Sequence, residues 1–558
     1  MPTKGEYLFM SDDFTHYYAD FMDGTYDCVD RIVLNGYFIM GQSPGGFRTW
    51  WRRLCGSDDS LDNAHLMRMA GRLSRRVRAH AKDRGIPVLD CLHSERKHEL
   101  AERYLPVDPN FVGVFLILVN RAPAPVWDVQ RSKNGVIMNI ARKTPYPYVN
   151  HYSFHIIDPE WGHITIKLCG HPPFNAQIIL NGHEYVARRA KKTGIEFTKT
   201  GNCFTSMSDA PRLAHIADTL CSENTVGRLS QVCERWIYSA CLCFALELAD
   251  QESSGFRYLY SVYQGEYSRN LLFTRGTELE QVFQGIIDRT RARLDVKTLK
   301  TILGTKRRPF QRAGRKAPRQ EVVVERPAYD LTVFKIHFGK ITAKCYTKGE
   351  RVLRIEVIVH NARVLPCGYS LERFSEIIMQ LRSILNRFLD AVHCIDIACI
   401  SAERLDDLPT PSRVGETRIG GIDINKPRMR AVIEGVVGLA VIPQGFSVSD
   451  LAVKVNAITG TGDGAYTSRM ASYDLKKLRG KCIVRKRERS RRYETVSEGL
   501  HVLAALLVLR DKVIKPVLAG AGRPKRGPIP KNPSRIDTHY RVLQHEMHDL
   551  FKTIGIAA

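Results

Sequence analysis

Residues 329–360 read YDLTVFKIHFGKITAKCYTKGERVLRIEVIVH, and the fold class turns on them. Three apolar, β-branched runs, Leu331 to Phe338, Ile341–Tyr346 and Val352–Val359, are separated by short breaks, and Thr347-Lys348-Gly349-Glu350 supplies a turn between the last two. That pattern predicts a β-meander. Beyond it, Phe374, Ile378, Leu381, Leu385, Phe388 and Val392 recur at spacings of three and four, which predicts a long amphipathic helix packed on the sheet. Runs of strands followed by covering helices point to a mixed α+β, multi-domain chain with a β-rich centre.

Toward the N-terminus the pattern stays mixed. The first ~60 residues are rich in aromatics and glycine, with a turn expected at Ser43-Pro44-Gly45-Gly46. Leu61–Arg84 reads as a basic helix whose apolar stripe is Leu66, Met69, Leu73, Val77 and Ala81, stopped by Gly85 and Pro87. Strands are expected at Val112–Val119, Ile164–Leu168 and Gln177–Leu180. Asn181-Gly182 leads into a short basic helix, Tyr185–Lys192. Val226–Ala249 is apolar on nearly all sides and is expected as a buried helix. The expected segments are 1–149 (α/β with the basic helix), 150–303 (α+β), 304–320 (basic linker or loop), 321–445 (meander and long helix), 446–520 and a basic tail, 521–558.

The 446–520 segment carries the most specific local pattern. Ser447 and Asp450 form a capping box for one helix. A second helix, about Ser468–Arg479, directs Ala471, Leu475 and Leu478 to a core and Arg469, Ser472, Tyr473, Lys476, Lys477 and Arg479 outward. A hairpin with a basic tip follows (Arg485, Lys486, Arg487, Arg489, Arg491, Arg492), and Leu500–Leu509 closes the unit. Helix, helix and charged hairpin in this order are the parts of a winged helix, whose second helix reads a groove while the wing meets phosphates.

Composition agrees with a polyanionic partner. Lys plus Arg number 83 against 58 Asp plus Glu, a formal charge of +25 over 558 residues. DNA is the favoured partner, with structured RNA as the other nucleic acid; Arg307, Arg308 and Arg312 of the linker are further phosphate-contact candidates. No apolar run approaches the ~18–20 residues of a membrane span, so no membrane partner and a cytoplasmic location are expected. The 14 cysteines include no CxxC pair and read as buried thiols. No P-loop is present, which argues against phosphoryl transfer from ATP.

Four carboxylates sit on or beside predicted strands: Asp158, Glu160, Glu266 and Glu356. Acids gathered on a sheet can hold Mg²⁺ or Mn²⁺, which neutralises a phosphate and activates water; Asp158, Glu160 and Glu356 are the metal-ligand candidates. Arg354 and Glu356, two apart, share one face opposite Leu353, Ile355 and Val357. Tyr346 and Lys348 supply a nucleophile and a charge partner. A plain surface ion pair is the competing reading of Arg354 and Glu356. His151, His155 and His163 lie near Asp158.

From about Leu61 to the C-terminus the chain resembles a family of large uncharacterised bacterial proteins. The segments that carry this are Arg96-Lys97-His98-Glu99, Asp158-Pro-Glu160-Trp-Gly162, Leu180-Asn-Gly-His-Glu184-Tyr185, Gly265-Glu266-Tyr267, the Tyr346–Glu356 run and Tyr473-Asp-Leu-Lys-Lys-Leu-Arg-Gly480. Within Ile341–Val359, Tyr346-x-Lys348 followed by Arg354-x-Glu356 is similar to the Tyr-Asp-Lys and Arg-x-Glu strands of rolling-circle replication initiators of plasmids and phages. That resemblance implies DNA nicking by a tyrosine and a divalent metal. Two features depart from it: Thr347 stands where those proteins often carry Asp, and no His-hydrophobic-His motif is evident. The expectation is a nucleic-acid-binding protein of a mobile-element or plasmid-like system acting as a metal-dependent endonuclease or nickase. The alternative is a non-catalytic binder: a DNA-binding regulator, a partition factor or the protein part of a ribonucleoprotein.

Overall fold

The computed structural model describes residues 13–92, 95–293, 320–328, 331–338, 340–394, 402–440, 442, 444–460, 465–487, 490–510 and 535–553. The chain divides into two units. The first comprises Tyr18–Gly285 and Thr298–Leu385; the second comprises Met1–Tyr17, Ile286–Lys297 and Asn386–Ala558. Arg307, Arg308, Arg312 and Arg489 lie outside the described residues.

The first unit is organised by one sheet. Its strands are β1 (Met22–Phe38), β2 (Val88–Asp90), β3 (Gly113–Pro123), β6 (Tyr148–Asp158), β7 (Gly162–Cys169), β8 (Ala176–Asn181), β11 (Tyr258–Phe273), β12 (Gln320–Ala328), β13 (Leu331–Phe338), β14 (Ile341–Lys348) and β15 (Val352–Val359). They lie in the order β12-β13-β14-β15-β11-β1-β8-β7-β6-β3-β2. Every neighbouring pair is antiparallel except β2 with β3. Strands from the segments expected as 1–149, 150–303 and 321–445 therefore pair with one another in a single sheet. Two small hairpins attach to this unit: β4 (Trp127–Arg131) with β5 (Ile137–Arg142), and β9 (Phe197–Lys199) with β10 (Phe204–Met207).

Burial explains the order. All eight residues of β15 are buried, as its near-continuous apolar sequence requires of a strand covered on both faces. Helix Phe374–Cys394 buries Phe374, Ile377, Ile378, Leu381 and Leu385, the stripe that the three-and-four spacing marks. Helix Asn63–Arg84 is capped by Asp62, whose carboxylate accepts from His65 N at 2.6 Å, and ends at Gly85 with φ 66°. Its buried residues are Leu66, Met69, Leu73, Val77 and Ala81.

Two local expectations change. Ser43-Pro44-Gly45-Gly46 is a helix start rather than a turn: Ser43 caps helix Pro44–Cys55 and accepts from Gly46 N, with proline in the first turn where its missing N–H costs nothing. The apolar 226–249 run breaks after Ala240, and helix Asn224–Ala240 buries one face only, through Leu229, Val232, Cys233 and Ile237. No helix among the described residues is long and apolar enough to cross a membrane. The described cysteines are free thiols.

In the second unit, helix Pro427–Leu439 is buried on most sides. Helix Val448–Thr459 starts at the reciprocal capping box of Ser447 and Asp450. Helix Ser468–Gly480 buries Ala471, Asp474, Leu475 and Leu478. Two short hairpins, β16 (Ser412–Val414) with β17 (Thr417–Ile419) and β18 (Val484–Lys486) with β19 (Tyr493–Thr495), and helix Ser497–Leu509 complete it, with helix Arg535–Thr553 in the tail.

One glycine of the first unit has a structural task. Asn181 caps helix Gly182–Lys192 by accepting from His183 N at 2.9 Å, and the helix start presses on the backbone of β1. A Cβ at Gly182 would overlap the Val29 carbonyl oxygen. We expect Gly182→Ala to destabilise the fold by about 1–3 kcal/mol, the usual cost of overpacking. A urea denaturation midpoint equal to wild type would show that the close approach is not required.

Candidate active site

Strand register alone gathers a polar cluster on one face of the sheet. Tyr346 pairs with Arg354, Arg354 with Asn270, and Asn270 with Tyr26. In the adjoining row Lys344 pairs with Glu356, Glu356 with Ser268, and Ser268 with Cys28. Because side chains alternate, Lys344, Tyr346 and Lys348 share this face with Arg354, Glu356, Glu266, Ser268 and Asn270. The opposite face carries Cys345, Leu353, Ile355 and Val357, all buried.

A β-bulge in β1 lies beside the cluster. Between the Val29–Tyr267 and Ile32–Gly265 pairs, β1 places Asp30 and Arg31 opposite Glu266 alone. The extra residue re-aims the local side chains. Asp30 follows Tyr26 and Cys28 onto this face by alternation, meets Arg354 and accepts from its Nη2. Arg354 Nη1 also donates to Asn202 O at 2.7 Å and to Asn270 Oδ1 at 3.2 Å. His183, carried in by the helix that Gly182 admits, places Nδ1 2.6 Å from Asp30 Oδ1, and its Nε2 lies 3.4 Å from the Tyr26 hydroxyl. Asn202, in the β9–β10 turn, also accepts from Lys348 Nζ. The Tyr346 hydroxyl donates to Glu356 Oε2 at 3.1 Å, and Lys344 Nζ stands 3.7 Å from the same oxygen. Gln264 Nε2 donates to Glu266 Oε1 at 2.6 Å.

These contacts set two carboxyl groups, Asp30 and Glu266, in different states. Burial would raise Asp30, but Arg354 and then His183 outweigh it and hold it down at about 2. Glu266 has no such partner. Burial, then the neighbouring charges of Glu356 and Asp30, push it up to about 8, so it keeps its proton at neutral pH and shares it with Glu356. Burial also raises the Tyr346 phenol well above its ordinary range, against the pull of Arg354. The same burial, with Arg354 next, lowers Lys348. The cluster can therefore accept a proton from Tyr346, return one from Glu266, and present fixed positive charge.

The structure brings together Glu266, Tyr346, Lys348, Arg354 and Glu356. It does not bring Asp158 or Glu160 to them. β6 stands five strand intervals from β15, roughly 24 Å at ~4.8 Å per strand, so Asp158 and Glu160 cannot share a metal with Glu356. Asp158 is already saturated: it accepts from Glu160 N and Trp161 N at 2.8 Å, from Arg235 at 2.5 Å and from Trp236 Nε1 at 2.8 Å. His155 lies three residues before it and so faces the other way, with its Nδ1 3.0 Å from His163 Nε2. Arg354 and Glu356 are not a surface pair either: Arg354 is fully buried and bonded to Asp30.

Sequence reading missed Asp30, His183, Asn202 and Asn270. A lone acid inside the apolar run Val29–Leu34, and a histidine directly after the Asn181-Gly182 cap, were the available signals. Among the described residues, Cys28, Asp30 and His183 form the one group of three whose ligand atoms lie close enough to hold a metal, all within 4.8 Å of one another. Asp30 Oδ1 and His183 Nδ1 are buried without hydrogen-bond geometry to any partner, although they lie 2.6 Å apart, and burial favours the neutral form of the imidazole. Sulfur, nitrogen and one oxygen suit a zinc-like ion better than the Mg²⁺ or Mn²⁺ expected from the sequence, which favour oxygen ligands.

The second unit carries the basic candidates. On helix Ser468–Gly480, Arg469, Tyr473, Lys476 and Arg479 are exposed and Ser472 and Lys477 half-buried. Lys477 Nζ stands 5.2 Å over the Tyr473 ring. In the β18–β19 hairpin Lys486 and Arg491 are exposed. Other cations expected at the tip also serve the protein itself. Glu494 binds Arg485 at 2.7 Å and Arg487 at 3.6 Å, and Arg492 donates to Gly445 O at 2.7 Å.

Comparison with models of known protein families, with curated protein sequences and with solved structures finds no match.

Glu266 yields a test by pH. A carboxyl raised on folding stabilises the native state at low pH, and that contribution is lost as pH rises from the unfolded value, about 4.3, through about 8. Glu266→Gln removes the titration. Urea midpoints of wild type and variant should diverge steadily over this window, wild type losing more as pH rises. Parallel curves would mean that Glu266 is ionised in the fold.

Proposed function

We propose that this protein cleaves a single strand of nucleic acid, DNA in the first instance, by transferring a phosphodiester to Tyr346, and that its second unit docks on the same polymer. The observation that carries this reading is the Tyr346 hydroxyl bonded to Glu356 at 3.1 Å, beside a protonated Glu266 and the Arg354 and Lys348 cations. The similarity of Tyr346-x-Lys348 and Arg354-x-Glu356 to rolling-circle initiators gives the same direction.

The step balances within the cluster. Tyr346 Oη attacks phosphorus as its proton passes to Glu356. The P–O3′ bond breaks, and the leaving oxygen takes the proton held by Glu266. The products are a tyrosyl 5′-phosphate ester and a 3′-hydroxyl. The phenol is raised by burial, so general base assistance is needed. Lys348 and Arg354 oppose the charge that gathers on the phosphate. Asp30, His183 and Cys28 would hold a divalent ion, which supplies further charge neutralisation when bound.

A second reading rests on the complete burial of Arg354, Asp30 and His183: the cluster is a structural network, and the exposed cations of helix Ser468–Gly480 bind nucleic acid with no cleavage. A covalent-adduct assay separates the two. Labelled single-stranded DNA with Zn²⁺ or Mn²⁺ should leave label on wild-type protein after denaturing electrophoresis. Tyr346→Phe should leave none, and Glu356→Gln should form adduct about 10²–10⁴-fold more slowly. The wild-type rate should fall as pH rises through about 8, where Glu266 loses its proton. Undiminished adduct in Tyr346→Phe would exclude this nucleophile, and no adduct in any protein would favour pure binding.

Docking has its own signature. Arg469→Ala, Lys476→Ala and Arg479→Ala should each weaken DNA binding and lower the slope of log K against log salt by about one. A slope that stays at the wild-type value in all three would remove this helix from the contact.

A further inference from the structure

A second site lies in the first unit, on the β6 side of its sheet. Helix Asn63–Arg84, the β4–β5 hairpin and the start of β6 enclose a cleft of about 620 Å³, the volume of a small-molecule site. Its walls combine three chemistries. Leu66, Met67 and Ala70 give one apolar side, with Met67 63% exposed. Tyr148, also 62% exposed, presents an aromatic ring. Arg121 and Lys143 line the cleft as exposed cations, and among the described residues neither is ion-paired.

The walls are held in place. Trp127 donates from Nε1 to Gly41 O at 3.1 Å and carries the Arg142 guanidinium 3.7 Å over its ring. Arg121 Nη2 donates to Tyr148 O at 3.1 Å, which fixes the cation beside the aromatic residue. His171 is buried, and its Nδ1 lies 3.0 Å from Pro172 O. A carbonyl can only accept, so the Nδ1 carries the proton and Nε2 of the neutral ring is left as an acceptor. Burial keeps that ring neutral.

We propose that this cleft binds one unpaired nucleotide, its base against Tyr148 and the apolar helix face and its phosphate at Arg121 and Lys143. An aromatic platform beside unpaired cations is the arrangement that holds single strands without reading a duplex. The inference rests on the nucleic-acid reading above for its preferred source, a single strand. A free mononucleotide shares the same chemistry.

The test measures binding of a fluorescein-labelled thymidine hexamer by polarisation, in duplicate with adenosine monophosphate as competitor. Tyr148→Ala and Arg121→Ala should each weaken hexamer binding by about tenfold or more, the scale of a lost base–aromatic stack. Circular dichroism and the Tyr346 adduct rate at saturating DNA should stay at wild-type values. Displacement only by millimolar adenosine monophosphate supports the strand as the source; displacement at micromolar concentration, lost in both variants, supports the site with a free nucleotide as its occupant. A hexamer bound equally by wild type and both variants overturns the site and leaves the cleavage reading standing. No binding of hexamer or mononucleotide overturns both the site and the nucleic-acid reading.

Discussion

Arg354 is fully buried, and its guanidinium meets the equally buried Asp30. Burying two charges costs several kcal/mol each before attraction offsets it, and such a pair is tolerated only where further hydrogen bonds complete it. The first unit is arranged to supply them. β15 brings Arg354; β1 brings Asp30; β11 brings Asn270; the β9–β10 turn offers Asn202 O; and the helix that begins at Gly182 seats His183 on Asp30. Each of these elements is placed by contacts of its own, yet all converge on one guanidinium. Replacing such a pair by apolar side chains of similar volume is often neutral or stabilising, so stability alone does not call for a guanidinium at this point.

The sequence made the local elements plain and the long-range ones obscure. The meander, the long helix with Phe374 and Leu381, the stripe from Leu66 to Ala81 and the Ser447–Asp450 capping box depend on spacing within a few residues, and they are present as read. The face shared by Tyr346, Lys348, Arg354 and Glu356 was legible for the same reason: two strands joined by a tight turn fix their own register. What spacing could not show is that β1 and β11 lie next to β15. Asp30 stands 324 residues from its partner Arg354, a separation that no local spacing bridges. Asp158 illustrates the converse. An acid before a Pro-Glu-Trp turn looks like chemistry, but its carboxylate closes that turn and ties it to Arg235 and Trp236.

Asp30 and Glu266 show how one sheet face holds carboxyl groups in different protonation states. Asp30 is held ionised by the guanidinium beside it, and Glu266, opposite the bulge, keeps a proton because its neighbours are negative. Glu356 stands between Tyr346 and Glu266, bonded to the phenol. Pairs of titratable groups driven apart in this way mark acid and base roles. Alternation after Tyr26 and Cys28 turns Asp30 to this face, and there it takes the Arg354 guanidinium; the bulge that follows turns Ile32 to the apolar face. Arg354 is held by Asp30, while Glu356 bonds to Tyr346 and Glu266 keeps its proton; the proposal of a reacting centre rests on this division of partners.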